Sequence, residues 1–99
     1  MEIIKELNEN SLVIKVIGEL NSFTAPELEN VIKNDLTGVK DLCFDFQKLD
    51  YLSSAGLRVL LVAQKIMSKQ GKMSLRNVNK SVMEIFEITG FLNILDIIN

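Results

Sequence analysis

The hydrophobic period of this chain switches repeatedly between two residues and three to four, which restricts it to folds in which strands and helices take turns. Across Ser11 to Ile17, Leu12, Ile14 and Val16 fall on one side while Val13, Lys15 and Ile17 take the other, the spacing of a strand. Because that second side is largely apolar too, both faces of the strand are expected to be covered. Leu28, Val31, Ile32 and Leu36 then recur at helical spacing, and Leu42-Cys43-Phe44-Asp45-Phe46 returns to alternation, with three large side chains on one face of a central strand.

Local signals punctuate these runs. Ile3 to Leu7 predicts a weaker first strand, joined to the next by the polar turn Asn8-Glu9-Asn10 as an antiparallel hairpin. Thr24 and Glu27 have capping-box spacing, with Pro26 in a first turn that needs no amide donor, and Thr37-Gly38 stops that helix. Lys48 to Leu52 reads as a turn. Ser54 to Lys69 is apolar over most of a helix's circumference and ends at Gln70-Gly71-Lys72. Met73 to Arg76 is a short strand, and Asn79 caps a third helix that turns Val82, Ile85 and Phe86 inward and stops at Gly90. Phe91 to Ile98 is expected to be a last edge strand. The order β-β-α-β-α-β-α-β implies an α/β layer fold, with parallel strands joined by right-handed helical crossovers behind an antiparallel start.

Composition narrows function mostly by exclusion. The chain's 99 residues suit one domain, 1–99, with one core, and 47% hydrophobic against 24% charged residues is a globular balance. A net charge of −2 leaves no surplus cation for phosphate backbones, so no nucleic acid partner is expected. With no histidine and the single cysteine Cys43, a Ser-His-Asp triad, a Cys-His pair, a zinc site of His and Cys ligands and an internal disulfide are all beyond reach within one chain. Charges break the apolar runs between Met1 and Leu20, and no stretch reaches the ~18 apolar residues of a membrane span. The expectation is a soluble, cytoplasmic protein with no direct membrane insertion.

The segment Asp50-Tyr51-Leu52-Ser53-Ser54-Ala55-Gly56-Leu57-Arg58 is a loop entering a helix, with two adjacent hydroxyls and a pair of small residues in the first turn. Unpaired amides and the dipole at a helix start tolerate a phosphoryl group, so Ser54 can carry phosphate, while Ser53 or Ser54 serves equally well as a simple cap. At ~100° per residue, Ser54, Arg58, Lys65 and Lys69 share one helix face with Val62 among them. That stripe is either a solvated face or a surface for an acidic partner. Cys43 is expected to be a small buried hydrophobe, and Asp45, on the same strand face, must be hydrogen-bonded if buried. Glu19 either positions a backbone turn or lines the site near Ser54. Isolated carboxylates such as Asp45 and Asp50 give little support to a hydrolase or nucleotide-binding reading.

Gly18-Glu19-Leu20 before the first helix, the segment Asp45 to Gly56, and Phe86-Glu87-Ile88-Thr89-Gly90-Phe91 together resemble the STAS domain of bacterial anti-sigma factor antagonists, over nearly the whole chain. The resemblance implies a mixed, mostly parallel sheet with crossover helices packed mainly on one face. It further implies a regulatory module without cofactor or catalytic activity of its own, monomeric when free. Its unphosphorylated form would bind an anti-sigma factor that is also a serine kinase, and so release the sigma factor. Phosphorylation of Ser54, two residues before Gly56, would end binding, and a PP2C-type phosphatase would reverse it, with Ser53 the alternative acceptor. The expected partner surface comprises Asn21, Ser53, Ser54, Ala55 and Gly56, together with Arg58, Val62 and Lys65 from the shared helix face. The chain has Ser53 and Asn21 where many members carry Asp, and it ends close after the last expected strand, where members usually add a short helix. The alternative is a STAS subunit of a membrane transporter or other signalling complex, without serine phosphorylation.

Overall fold

The computed structural model describes residues 1–98. Its elements run β1 (Glu2–Asn8), β2 (Ser11–Leu20), α1 (Ala25–Asp35), β3 (Asp41–Asp45), β4 (Leu49–Leu52), α2 (Ser54–Ser68), β5 (Lys72–Arg76) and α3 (Lys80–Thr89), followed by a 3-10 turn at Phe91–Asn93. β1 folds back on β2 as an antiparallel hairpin, and β2, β3 and β5 are parallel neighbours in the order β1-β2-β3-β5. Each parallel crossover steps one strand in the same direction, so right-handed connections bring α1 and α2 to the same face of the sheet.

That face carries the core. Leu12, Ile14, Val16, Leu42, Phe44, Met73 and Leu75 are buried beneath Leu28 and Ile32 of α1 and Leu60, Ala63 and Met67 of α2, and Val82 and Phe86 of α3 join the same cluster. The opposite face is half-open, because both crossovers return on the other side. There Val13, Lys15, Ile17, Cys43, Ser74 and Arg76 are only partly buried, which corrects the expectations of a covered second face and of a buried Cys43.

Three further expectations change. Lys48 to Leu52 does not simply turn: Leu49–Leu52 is a strand, β4, paired parallel with the end of β2 through Gly18↔Leu49, Glu19↔Tyr51 and Leu20↔Leu52. Gly18 sits at φ +99°, and the register shifts between Gly18 and Glu19. Both ends of this four-residue strand are buried and both middle residues exposed, so it lacks the alternation that would announce it.

The tail from Phe91 to Ile98 is not an edge strand. Gly90 enters the left-handed region at φ +80°, and the amides of Asn93, Ile94 and Leu95 are taken by the carbonyls of Gly90 and Phe91. Only the bridge Leu75↔Ile97 is left to pair with β5. Thr24 forms no capping box, because its side chain is engaged in the loop before α1. Asn79 does cap α3, its Oδ1 accepting from the Val82 amide at 2.9 Å while its Nδ2 donates to the Leu49 carbonyl at 2.9 Å.

Two glycines permit close approaches. A Cβ on Gly56 would lie 2.5 Å from Leu52 Cδ1 and 2.8 Å from Leu20 Cγ, so α2 rests directly on the β2 and β4 ends. A Cβ on Gly71 would run into the backbone carbonyl of Lys40.

Candidate functional site

The candidate site forms where β2, β4, α1 and α2 meet. Ser53 precedes α2 in extended conformation, its amide donating to the Leu20 carbonyl at 2.9 Å and its carbonyl accepting from Leu57 at 3.0 Å. These backbone bonds fix the start of the helix without a side-chain cap. The Ser53 Oγ is buried and has no hydrogen-bond partner, whereas Ser54, the first residue of α2, is exposed. Neighbours in sequence thus present one inaccessible and one accessible hydroxyl.

The loop from β2 to α1 is closed by its own side chains. Asn21 Oδ1 accepts from the amides of Phe23 at 2.9 Å and Thr24 at 3.1 Å, an Asx turn. Thr24 Oγ1 returns the tie, accepting from the Asn21 amide and donating to the Glu19 carbonyl, each at 2.9 Å. Asn21 therefore braces the loop with its side-chain oxygen, an atom that Asn and Asp share. Glu19 likewise helps the turn through its backbone, and its side chain is exposed.

Between α1 and α2 runs a groove of about 280 Å³ lined by Ser22, Ala25, Pro26, Glu29, Ala55, Arg58, Val59 and Val62. Of the residues expected at a partner surface, Ala55, Arg58 and Val62 meet here, and exposed Ser54 adjoins them at the helix start. Lys65 and Lys69 continue along the same exposed face of α2. Gly56 lies beneath, buried against Leu20 and Leu52, where it sets the helix-to-sheet distance. Arg58 forms no ion pair among the described residues, although Glu29 lines the same groove; Glu29 pairs instead with Lys33 at 3.0 Å. The contributions of Ser22, Pro26 and Glu29 escaped the sequence reading, which treated α2 alone. The spacing from Asn21 to Thr24 carried an Asx-turn signal that could have revealed the loop.

Asp45 lies apart from this site, on the half-open face. It is buried and accepts hydrogen bonds from Gln47 N at 3.0 Å, Asn77 Nδ2 at 3.0 Å and Arg76 Nε and Nη2 at 3.3 Å. Burial opposes its ionisation, but the bonds from Asn77, Gln47 and Arg76, with the charge of Arg76, outweigh that and hold the carboxyl below its ordinary range. The constellation clamps the ends of β3 and β5. Asp50 is exposed on β4.

The model of the STAS domain family matches residues 2–99. The chain belongs to the STAS family. BtrV of Bordetella bronchiseptica is 37% identical to this STAS chain over 101 residues, covering all of it and 87% of BtrV. The anti-sigma-B factor antagonist of Bacillus subtilis is 31% identical over 91 residues, covering 91% of this chain and 84% of its own. Among solved structures, unphosphorylated SpoIIAA, an anti-sigma factor antagonist, superposes with a TM-score of 0.78 at 17% identity, over 99% of this chain and 88% of its own. SpoIIAA in its phosphorylated form gives a TM-score of 0.77 at 18% identity, over 99% and 92%. These superpositions establish the STAS fold. No helix among the described residues is long and apolar enough to cross a membrane.

Proposed function

We propose that this chain is an anti-sigma factor antagonist that works by partner switching. Unphosphorylated, it binds an anti-sigma factor serine kinase through the start of α2 and the groove between α1 and α2, and the sigma factor is released. Transfer of the γ-phosphoryl group of ATP to Ser54 Oγ, with ADP leaving, ends the binding, and a PP2C-type phosphatase restores it by hydrolysis. The chain itself catalyses nothing in this cycle.

The observation that supports this reading most directly is the contrast between the two serines: Ser54 is exposed at a helix start, while the Ser53 hydroxyl is buried. A kinase needs its acceptor oxygen in reach of the phosphoryl group, and only Ser54 offers one without unfolding the helix start. The names of the relatives point to the same class of partner.

The test is incubation of the full chain with a candidate anti-sigma factor serine kinase from the same organism and ATP, followed by intact-mass measurement and site mapping. One added phosphate on wild type and on Ser53→Ala, with none on Ser54→Ala, is the expected result. Phosphate retained by Ser54→Ala, or binding to that factor that phosphorylation leaves unchanged, would overturn the reading.

A further inference from the structure

Phe23 is 92% exposed, the most exposed large apolar side chain described in this chain. A mobile loop often explains such exposure, but here the backbone on both sides is tied down. The Phe23 amide itself donates to Asn21 Oδ1 at 2.9 Å, and the Thr24 amide donates to the same oxygen. Thr24 Oγ1 binds the Asn21 amide and the Glu19 carbonyl, and Ala25 N donates to the Asn21 carbonyl at 2.8 Å. A closed set of bonds thus fixes the backbone from which the exposed ring projects. Leaving an aromatic ring exposed forgoes burial that the same side chain would gain in a core.

The place of the ring is as informative as its exposure. Its neighbour Ser22 lines the groove with Arg58 and Val62, and the Leu20 carbonyl just before the loop holds the Ser53 amide at the start of α2. The loop that carries the aromatic tip therefore joins both the wall of the groove that Arg58 lines and the start of α2 where Ser54 is exposed. Interfaces concentrate their binding energy in a few aromatic and arginine side chains, and a loop whose backbone is already tied in one conformation loses less entropy on docking.

We propose that Phe23 is the apolar anchor of the partner-binding surface, seated in a hydrophobic pocket of the partner whose rim carries carboxylates facing Arg58. The inference rests on the proposed function and adds the residue that would contribute most to affinity, along with the chemistry of the surface that receives it. Asn21 and Thr24 act as positioning residues: they touch no partner, and they aim the ring.

The test is titration calorimetry of the full unphosphorylated chain against the purified anti-sigma factor serine kinase that phosphorylates it, with Phe23→Ala, Phe23→Tyr and Ile88→Ala compared with wild type. Ile88 is the control, being 86% exposed on α3 and outside both the loop and the groove lining. Phe23→Ala is expected to weaken binding by about thirtyfold, chiefly through faster dissociation, with its melting temperature unchanged. Phe23→Tyr should retain affinity within about threefold, since tyrosine serves equally as an interface anchor. Wild-type affinity for Phe23→Ala, or an equal loss for Ile88→Ala, overturns the anchor while leaving the proposed function standing. A wild-type chain that does not bind the factor overturns the proposed function, and the anchor with it. A concentration-dependent dimer that Phe23→Ala abolishes, with partner affinity kept, would assign the ring to a second copy of the chain and overturn the proposal. Should Phe23→Ala melt early, Phe23→Gln, which keeps a side chain of intermediate size, takes its place under the same criteria.

Discussion

The amide of Ser53 donates to the carbonyl of Leu20 at 2.9 Å, tying the start of α2 to the end of β2. Because that bond and the one from Leu57 N to Ser53 O use backbone atoms only, the Ser53 hydroxyl contributes nothing to them, and it is buried without a partner. Replacing a helix-capping serine by alanine ordinarily costs ~0.5–2 kcal/mol. Here Ser53→Ala removes an unsatisfied buried hydroxyl, so it should be neutral or stabilising by up to about 1 kcal/mol. Thermal melts decide; a clear drop in melting temperature would mean that the hydroxyl does find a cap.

Charge should govern the unphosphorylated complex. Arg58 has no ion-pair partner among the described residues, so its charge is free to meet a partner's carboxylate. Arg58→Ala and Lys65→Ala should each weaken binding of the anti-sigma factor and lessen its dependence on salt. Calorimetry at two ionic strengths reads both effects, and wild-type affinity at both would remove the basic face from the interface.

Phosphate at Ser54 adds about −1.5 to −2 charges one helical turn before Arg58. Ser54→Asp should therefore weaken binding more than Ser54→Ala. In the phosphorylated chain, Arg58 should favour the dianion, so phosphorus NMR should find the phosphate's second pKa lower in wild type than in Arg58→Ala. Coincident titrations would separate Arg58 from the switch.

Gly56 and Gly71 should differ in what they tolerate. At Gly56 the atoms in the way belong to the side chains of Leu20 and Leu52, which can shift at the cost of strained packing. Gly56→Ala should destabilise by about 1–3 kcal/mol, in line with overpacked cores. At Gly71 the obstacle is the Lys40 backbone, whose carbonyl also accepts the Lys72 amide at 2.9 Å, so Gly71→Ala should cost more. Denaturant unfolding of the two variants tests the order.

Asp45 links stability to acid. Its folded-state pKa lies below the ordinary 3.8, so its contribution to stability is fully present above about that pH and is lost as pH falls through the folded value. Asp45→Asn should be less stable than wild type at pH 7, since the amide offers the surrounding donors fewer acceptor sites. The gap should close as pH drops below 3.8. A gap that stays constant down to pH 2 would detach the carboxylate from acid unfolding.

The core strands and the three helices could be read directly, because burial on one face stamps a period on the sequence: Leu12, Ile14 and Val16 on β2, and Val82 and Phe86 on α3, are all buried. Where period and burial part company, reading failed. β4 is too short to show one, and in the tail turn chemistry at Gly90 overrides apolar composition. Ser54, Arg58 and Val62 could be placed on one helix face from spacing alone. The groove they share with Ser22, Pro26 and Glu29 could not, since it arises from packing between segments some thirty residues apart. Nor does any local pattern distinguish a serine whose hydroxyl is buried from the exposed one beside it.

β2 takes part in three ladders. Up to Lys15 it lies between β1 and β3, whereas its pairing with β4 runs only from Gly18 to Leu20, across the shift between Gly18 and Glu19. Amides along one strand should therefore exchange with solvent deuterium on two timescales: slowly in the first half, where opening requires global unfolding, and faster at the end that holds the helix start. For the switch proposed above, the separation would be a practical advantage. The end proposed to meet the partner could loosen and reclose around a phosphorylated Ser54 while the rest of the sheet stays shut.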